Sequence, residues 1–248
     1  MSNVNDSYFD GHYKDIWRSI IPADLTVKEV DFIVSFFKLL PESKVLDLMC
    51  GYGRHALGLG RKGIAVTAVD NLGEYIHEIN ASASNEKLPV QAVKENVIEF
   101  KSEDKFDVAL CMGNSLNFFK AEDATLLLSN TCAQLKPGGH LLINSWSLAE
   151  IAIKSFTARS WTNIGNLKFL TSNEYLFHPT RIEFQSTILS PDGHIEEKKG
   201  IDYVFSVAEI EAILNTSGFE LEDIYSIPGK KKFTLGEPRA YLIARKRN

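Results

Sequence analysis

The chain of 248 residues has little of what directs a protein to nucleic acid, to a membrane or to an oxidising compartment. Its 27 Lys and Arg residues are outnumbered by 32 Asp and Glu residues, whereas a nucleic-acid-binding domain needs a concentrated basic face. Apolar runs stay well short of the roughly 20 residues that a membrane-spanning helix requires. The first six residues are polar and do not resemble a signal peptide. The three cysteines, Cys50, Cys111 and Cys132, are odd in number and lack metal-site spacing. We therefore expect a cytoplasmic protein without nucleic-acid, membrane or metal partners.

A short apolar strand pattern that ends in an acid and a glycine turn is the most informative feature of the sequence. Residues 45–53 read Val-Leu-Asp-Leu-Met-Cys-Gly-Tyr-Gly, and the next apolar run ends at Asp70. A strand, a glycine turn, a helix, a second strand and a terminal acid form the βαβ unit that binds nucleotides. Gly51 and Gly53 permit a tight turn and a close ligand approach, and Asp70 can accept hydrogen bonds from both hydroxyls of a ribose. Asp47 adds a negative charge where a pyrophosphate would lie, which favours a ligand that is cationic there.

Strand and helix patterns alternate through most of the chain. Strands are predicted at 45–48, 64–69, 90–93, 106–111, 140–144, 219–226 and 240–245, and helices at 8–20, 54–61, 72–83 and 123–135. Two capping boxes, Thr26 with Glu29 and Ser206 with Glu209, predict the starts of two further helices. This alternation is typical of an α/β fold in which helices cover both faces of a parallel sheet.

The alternation stops after residue 155. Residues 156–205 favour strands, which are predicted at 167–170, 174–177, 181–189 and 194–204. Ser190-Pro-Asp-Gly193 predicts a hairpin turn between the last two of them. We therefore divide the chain into a core of residues 1–155 and 206–248, with an N-terminal cap at 1–24, and an antiparallel insertion at 156–205. The insertion is expected to contact the substrate or to form a homodimer.

The glycine turn leaves two kinds of nucleotide open. Gly51-Tyr-Gly53-Arg-His-Ala56 also satisfies the relaxed dinucleotide pattern, so an NAD-dependent oxidoreductase is an alternative. The Asp47 carboxylate counts against it, because a buried negative charge would repel a pyrophosphate. A non-catalytic protein that keeps a cofactor fold and binds a partner is a further alternative.

These segments resemble a known family. Residues 45–55, with Asp70 downstream, closely resemble the first two motifs of S-adenosylmethionine-dependent methyltransferases with a Rossmann-like fold. Residues 135–143 resemble that family's later turn and strand, and residues 112–118 resemble the loop after the fourth strand in its small-molecule members. The resemblance implies a doubly wound, seven-stranded, mostly parallel sheet and S-adenosylmethionine as cofactor. It also implies in-line methyl transfer to an O, N or C nucleophile of a small molecule.

The resemblance implies a set of cofactor contacts. They are Tyr13, Asp47, Cys50, Gly51, Gly53, Arg54, Asp70, Asn71, Leu72, Asn96, Val97, Met112 and Asn114. In this assignment Asp47 lies near the cofactor ammonium, Asp70 holds the ribose, and Asn71 and Leu72 flank the adenine. Asn96 stands where many members have an Asp that accepts a hydrogen bond from the adenine amino group.

Three residues are candidates for a general base, which is needed only if the acceptor is protonated at working pH. They are Tyr13, His55 and His178. His55 opens a helix, where a structural hydrogen bond is equally plausible, and Tyr13 could simply pack on the amphipathic face of its helix. Arg54 could bind the cofactor carboxylate or stabilise the fold. Three residues of the insertion could line a substrate pocket or fill half-buried strand positions, namely Tyr175, His178 and Arg181.

Overall fold

The computed structural model describes residues 3–247. Its helices are α1 (His12–Ile20), α2 (Ala23–Phe36), α3 (Arg54–Arg61), α4 (Gly73–Glu86), α5 (Ala121–Gln134), α6 (Ala149–Ser155) and α7 (Val207–Thr216). Its first strands are β1 (Lys44–Leu48), β2 (Ala65–Asp70), β3 (Val90–Lys94), β4 (Phe106–Cys111), β5 (Leu135–Ser145) and β6 (Arg159–Ile164). They are followed by β7 (Leu167–Phe177), β8 (Thr180–Leu189), β9 (Ile195–Tyr203), β10 (Phe219–Ile227), β11 (Lys231–Lys232) and β12 (Ala240–Lys246). Short 3-10 helices lie at Val4–Ser7 and Ser115–Phe118.

The central sheet has the strand order β11-β10-β12-β5-β4-β1-β2-β3. The strands β3, β2, β1, β4 and β5 run parallel, and β12 is antiparallel to both of its neighbours. The predicted doubly wound, mostly parallel sheet is therefore confirmed. The two-residue β11 adds an eighth strand at the edge beyond the seven expected. The strand order reverses between β1 and β4, and in open α/β sheets ligands bind beyond the carboxyl ends of the strands at such a point.

Both faces of this sheet are buried under helices. On β1, Leu46 and Leu48 belong to one apolar cluster and Val45 to the cluster on the opposite face. A strand that is buried on both sides needs a continuous apolar run rather than an alternating one. Asp47 interrupts that run and is itself only 1% exposed, so its position requires an explanation other than packing.

Residues 159–203 form a separate antiparallel sheet in the order β6-β7-β8-β9. The predicted hairpin is present, with Leu189 opposite Ile195 across the Ser190–Gly193 turn. The segments 167–170 and 174–177, predicted as two strands, form the single strand β7, and the sequence patterns missed β6 and α6. Most of β6 is exposed because this strand lies at the edge of the sheet.

Residues 3–20 form most of the N-terminal cap that was predicted at 1–24, and they lie between the two sheets. The predicted helix at 8–20 begins only at His12, because Gly11 has a φ of 60°. The side-chain amide of Asn5 pairs with the backbone of Ile201 on β9, donating to its carbonyl and accepting from its N–H at 2.9 Å each. The amide thereby takes the place of a neighbouring strand. Met1, Ser2 and Asn248, which the predicted divisions of the chain include, lie outside the described residues.

One of the two predicted capping boxes is present. Ser206 caps α7 and exchanges hydrogen bonds with Glu209 as expected. The box at Thr26 and Glu29 is wrong, because α2 begins three residues earlier, after Pro22. Thr26 and Glu29 therefore lie inside the helix, and their side chains contact α3 instead.

No helix of residues 3–247 has both the length and the apolar character needed to cross a membrane.

Candidate functional site

A cavity of about 1100 Å³ lies at the carboxyl ends of the parallel strands. Asp47 of β1, Asp70 of β2, Met112 after β4 and Trp146 after β5 line its floor. The N-terminal cap and the second sheet supply the opposite walls. The cavity therefore lies at the predicted binding edge of the sheet and is bounded by all three parts of the chain. The described residues contain no cluster of three or more metal-ligating side chains.

The glycine turn after β1 exposes its backbone to the cavity. Met49, Gly51 and Gly53 have φ values of 51°, 53° and 76°. A Cβ on Gly51 would meet no atom within 4 Å, so the turn leaves room for a ligand there. A Cβ on Gly53 would lie 2.5 Å from Cγ1 of Ile79. Gly53 is not among the cavity-lining residues, and it is needed for the contact between α3 and α4 rather than for ligand approach.

Asp70 holds the turn in place. Its Oδ2 accepts a hydrogen bond from the N–H of Gly51 at 2.8 Å, and its Oδ1 accepts one from the N–H of Leu72 at 3.0 Å. Burial raises the pKa of Asp70 although these backbone donors act to lower it. Each carboxylate oxygen can accept a further hydrogen bond, so Asp70 can both fix the turn and bind ligand hydroxyls.

Asp47 has an oxygen without a partner. Within residues 3–247, its Oδ2 has no hydrogen-bond partner, although the atom is closed to solvent. Burial raises the pKa of Asp47 to about 6, against the lowering effect of the His55 and Arg54 charges. Buried polar atoms in proteins are nearly always hydrogen-bonded. A carboxylate oxygen left unpaired beside an open turn fits a cationic ligand group.

A buried ionic cluster lies beneath the turn and involves two of the predicted site residues. Glu29 accepts hydrogen bonds from the Tyr241 hydroxyl at 2.6 Å and from Nε2 of His55 at 3.0 Å, and it also pairs with Arg54. Burial acts to raise the pKa of Glu29, but the hydrogen bond and charge of His55 and the charge of Arg54 lower it to about 2. Arg54 and His55 line the cavity, yet their polar groups bind Glu29. This arrangement favours their structural roles.

Aromatic rings of the N-terminal cap cover the other half of the cavity. The Tyr8 hydroxyl lies 2.7 Å from Oγ of Ser186, and the ring centroids of Tyr8 and Tyr13 are 4.6 Å apart. Tyr13 stacks on Trp17, which contacts Trp146. Burial raises the pKa of Tyr13 well above its ordinary value, so its phenol stays protonated at neutral pH. Tyr13 is therefore placed to donate a hydrogen bond rather than to act as a base.

The remaining predicted cofactor contacts lie around the same cavity. They are Cys50, Asn71, Leu72, Asn96, Val97, Met112 and Asn114. The Asn71 amide donates to Oδ1 of Asp6 at 3.1 Å, which connects the cavity edge to the N-terminal cap. Asn96 Oδ1 accepts from the N–H of Ile98 at 3.0 Å, so one acceptor position of this amide is already used.

The sequence patterns did not reveal a polar network at the far end of the cavity. Asn114 Oδ1 accepts the backbone N–H groups of Trp146 and Ser147, at 2.9 and 3.0 Å. Its amide nitrogen donates to Oγ of Ser147 at 2.8 Å and to Oδ2 of Asp202 at 3.2 Å. Asp202 of β9 lines the cavity. No sequence pattern points to Asp202, because an acid inside a strand of mixed polarity resembles a solvated position.

The insertion residues suggested by the sequence lie elsewhere. His178 is exposed in the turn between β7 and β8, and it does not line the cavity. Tyr175 and Arg181 are also not cavity-lining. A different set of residues from the second sheet forms the wall, namely Phe169, Thr171, Asn173, Phe184, Ser186, Ile201, Asp202 and Tyr203. The structure thus contradicts a role for His178 as base in this cavity.

The sequence is similar to methyltransferases over much of its length. Residues 45–139 match the family model described as a methyltransferase domain. A ubiquinone biosynthesis O-methyltransferase of Rickettsia bellii is 26% identical over 202 residues, which cover 77% of this chain and 78% of that protein. These matches give no support to the NAD-dependent oxidoreductase or to the non-catalytic partner protein.

Solved structures show the same fold. An S-adenosylmethionine-dependent methyltransferase from Clostridium acetobutylicum superimposes with a TM-score of 0.82 at 18% identity, covering 95% of this chain and 96% of that one. The S-adenosylmethionine-bound amino pentose methyltransferase from Micromonospora echinaspora gives a TM-score of 0.70 at 17% identity, covering 96% and 97%. Over nearly its whole length, the chain therefore has the Rossmann-like fold of these enzymes.

Proposed function

We propose that the chain is an S-adenosylmethionine-dependent methyltransferase and that it methylates an O, N or C nucleophile of a small molecule by direct in-line displacement. The observation that carries this proposal is the continuous cavity, which runs from Asp70 and the glycine turn to the aromatic half under the N-terminal cap. A volume of about 1100 Å³ can hold a cofactor together with a small acceptor. The net charge of −5 gives no support to a nucleic-acid acceptor.

The cavity residues fit the chemical groups of S-adenosylmethionine. We place the ammonium at the unpaired Oδ2 of Asp47 and the ribose hydroxyls at Asp70. We place the adenine between Leu72 and Val97, near Asn96, because these residues line the same part of the cavity after β2 and β3. The open side of Gly51 accommodates the methionine portion.

The protein's own contribution to the reaction is positioning and the exclusion of water. When bound, S-adenosylmethionine supplies a methyl group that is already activated by its positively charged sulfur. The rings of Tyr8 and Tyr13 line the same cavity as Met112, and aromatic rings attract a positive charge. Alignment of the acceptor atom behind the methyl carbon then lowers the barrier without a covalent intermediate.

Binding of S-adenosylhomocysteine tests the cofactor site. Asp70→Ala removes the carboxylate that holds both the glycine turn and the ribose, and we expect at least a tenfold loss of affinity by titration calorimetry. Asp104→Asn is the matched control, because Asp104 is exposed and pairs with Lys44 on the surface. Wild-type affinity in Asp70→Ala would contradict the assignment.

We also propose that the second sheet forms a homodimer contact. The exposed fractions of Trp161 and Phe177 are 69% and 80%, and β6 is an edge strand. Large exposed aromatic side chains beside a strand edge favour association with a second copy. Light scattering after gel filtration should give a dimer mass for the wild type and a monomer mass for Trp161→Glu. A monomeric wild-type protein would contradict this proposal.

A further inference from the structure

Asp202 lies at the far end of the cavity, and the methyl transfer proposed for this protein does not yet assign a role to its carboxylate. We propose that its Oδ1 binds the ammonium form of an amine acceptor and then takes up its proton, so that the substrate class of this enzyme is an amine. This inference rests on the proposed methyl transfer. It deepens that proposal by specifying nitrogen as the nucleophile and Asp202 as the base.

The Asp202 carboxylate is fixed on one side and free on the other. Its Oδ2 accepts hydrogen bonds from Oγ of Ser147 at 2.9 Å and from the amide of Asn114 at 3.2 Å. Asn114 is itself held by the backbone after β5. Oδ1 is closed to solvent and has no hydrogen-bond partner among the described residues. The network therefore fixes the carboxylate while leaving one oxygen available.

No cation of residues 3–247 forms an ion pair with Asp202. The titratable groups that face it are the phenols of Tyr8 and Tyr13, whose pKa values its charge helps to raise. Lys198, on the same strand, pairs with Asp10 and Glu196 instead. Burial raises the pKa of Asp202 to about 7, while the hydrogen bonds from Ser147 and Asn114 oppose the rise. The missing partner of this acid is a cation.

The surroundings of Asp202 favour an organic ammonium group over a neutral hydroxyl. Tyr8, Tyr13, Phe169 and Phe184 line the same part of the cavity, and the ring centroids of Tyr8 and Phe184 are 4.9 Å apart. Aromatic faces attract cations. A hydroxyl could hydrogen-bond to Oδ1, but it would leave the buried negative charge without compensation. A carboxylate beside several rings is therefore complementary to an amine on an apolar or ring-shaped body.

An ammonium nitrogen has no free electron pair and cannot attack a methyl group. In the proposed step one N–H bond breaks, the proton moves to Oδ1 of Asp202, and the electron pair stays on nitrogen. That pair forms the new N–C bond while the C–S bond breaks and its electrons remain on sulfur. The proton returns from Asp202 to water when the methylated amine leaves. A base that titrates close to the working pH suits this exchange.

Benzylamine and benzyl alcohol are matched probes of the proposed selectivity, because they share a ring and differ in the amine. Both are titrated at pH 7.5 into protein that has first been saturated with S-adenosylhomocysteine. We expect the wild type and the Asp104→Asn control to bind benzylamine at least tenfold more tightly than benzyl alcohol. In Asp202→Asn, which keeps an oxygen for Ser147 and Asn114, this preference should disappear.

A second measurement on the wild type does not depend on that variant's folding. Carbon-13 NMR of carboxyl-labelled protein should show benzylamine, but not benzyl alcohol, lowering the pKa of Asp202, whose signal is distinguished from that of Asp47 because it persists in the spectrum of Asp47→Asn. The inference would be overturned if the wild type bound the two probes with equal affinity or did not bind benzylamine. It would also be overturned if a folded Asp202→Asn kept the preference for benzylamine, or if benzylamine left the pKa of Asp202 unchanged. Failure of the wild type to bind S-adenosylhomocysteine would overturn the proposed function as well, and the calorimetry detects that failure in a separate step.

Discussion

Replacing Asp47 by Asn should stabilise the ligand-free protein, although Asp47 lies in its binding site. The folded-state pKa is about 6 against an ordinary value of 3.8. A rise of about 2 units corresponds to about 3 kcal/mol against the ionised form. The folded-state pKa is raised, so this cost is absent below pH 3.8, grows as the pH rises to 6 and is fully present above it. Asp47→Asn removes it.

The gain should therefore depend on pH. At pH 8 we expect Asp47→Asn to unfold at a higher temperature than wild type, by about 4 to 12 °C for a gain of up to about 3 kcal/mol in a chain of this size. At pH 4 the two proteins should be nearly equal, because Asp47 is then protonated in the folded wild type and only about half ionised in the unfolded chain. Thermal unfolding at the two pH values, with Asp104→Asn as control, measures this difference.

Asp47→Asn should weaken cofactor binding, although it stabilises the ligand-free protein. A ligand ammonium at Oδ2 lowers the pKa of Asp47, so binding of S-adenosylhomocysteine near pH 6 should release about half a proton from this group. Calorimetry in two buffers of different ionisation enthalpy counts that proton. Asp47→Asn should bind more weakly and lose this release. A lower unfolding temperature for Asp47→Asn at pH 8, or the same proton count in both proteins, would refute the reasoning.

Four further substitutions test other parts of the site. Glu29→Gln should cost about 3 to 5 kcal/mol of unfolding free energy in urea at pH 7, because it leaves the largely buried guanidinium of Arg54 without its carboxylate partner. The pKa of Glu29 is lowered to about 2, so the wild type should lose this stabilisation as the pH falls from 4.5 through 2. Equal stability of Glu29→Gln and the wild type at pH 7 would contradict a stabilising role for the buried ionic cluster. Gly53→Ala should lower the free energy of unfolding in urea more than Gly51→Ala does, because only a Cβ at position 53 meets Ile79. Gly51→Ala should mainly weaken S-adenosylhomocysteine binding. A larger loss of stability in Gly51→Ala would be contrary evidence. Tyr13→Phe should leave the pH dependence of methyl transfer below pH 9 unchanged, since the pKa of this phenol is raised. If a titration seen in the wild-type pH profile below pH 9 disappeared in Tyr13→Phe, Tyr13 would be shown to act as a base.

The sequence predicts those parts of the fold that local patterns determine. The bounds predicted for α3 and β4 agree with the structure, because a glycine turn precedes α3 and both faces of β4 are buried. The Thr26 and Glu29 pattern misled because Thr-x-x-Glu looks the same whether its carboxylate caps a backbone or binds buried cations. Only the packing of α2 on α3 and β12 distinguishes these cases.

The acceptor side of the site depends on contacts between distant residues. Asp202 meets Asn114 and Ser147 across 88 and 55 positions of sequence, and no local pattern reports such a meeting. His178 was proposed as a titratable residue of the strand-rich insertion, but the sequence does not show which residues of that insertion lie against a cavity.

The pairing of the Asn5 amide with the Ile201 backbone makes the start of the chain part of the acceptor pocket. Ile201 directly precedes Asp202, and its N–H and carbonyl are both bound by a side chain from the 3-10 helix at Val4–Ser7. Local opening of that first turn frees the Ile201 amide to exchange with solvent hydrogen. The exchange rate at Ile201 thus reports how often the first turn detaches, and a ligand that seals the cavity should slow the exchange of this amide.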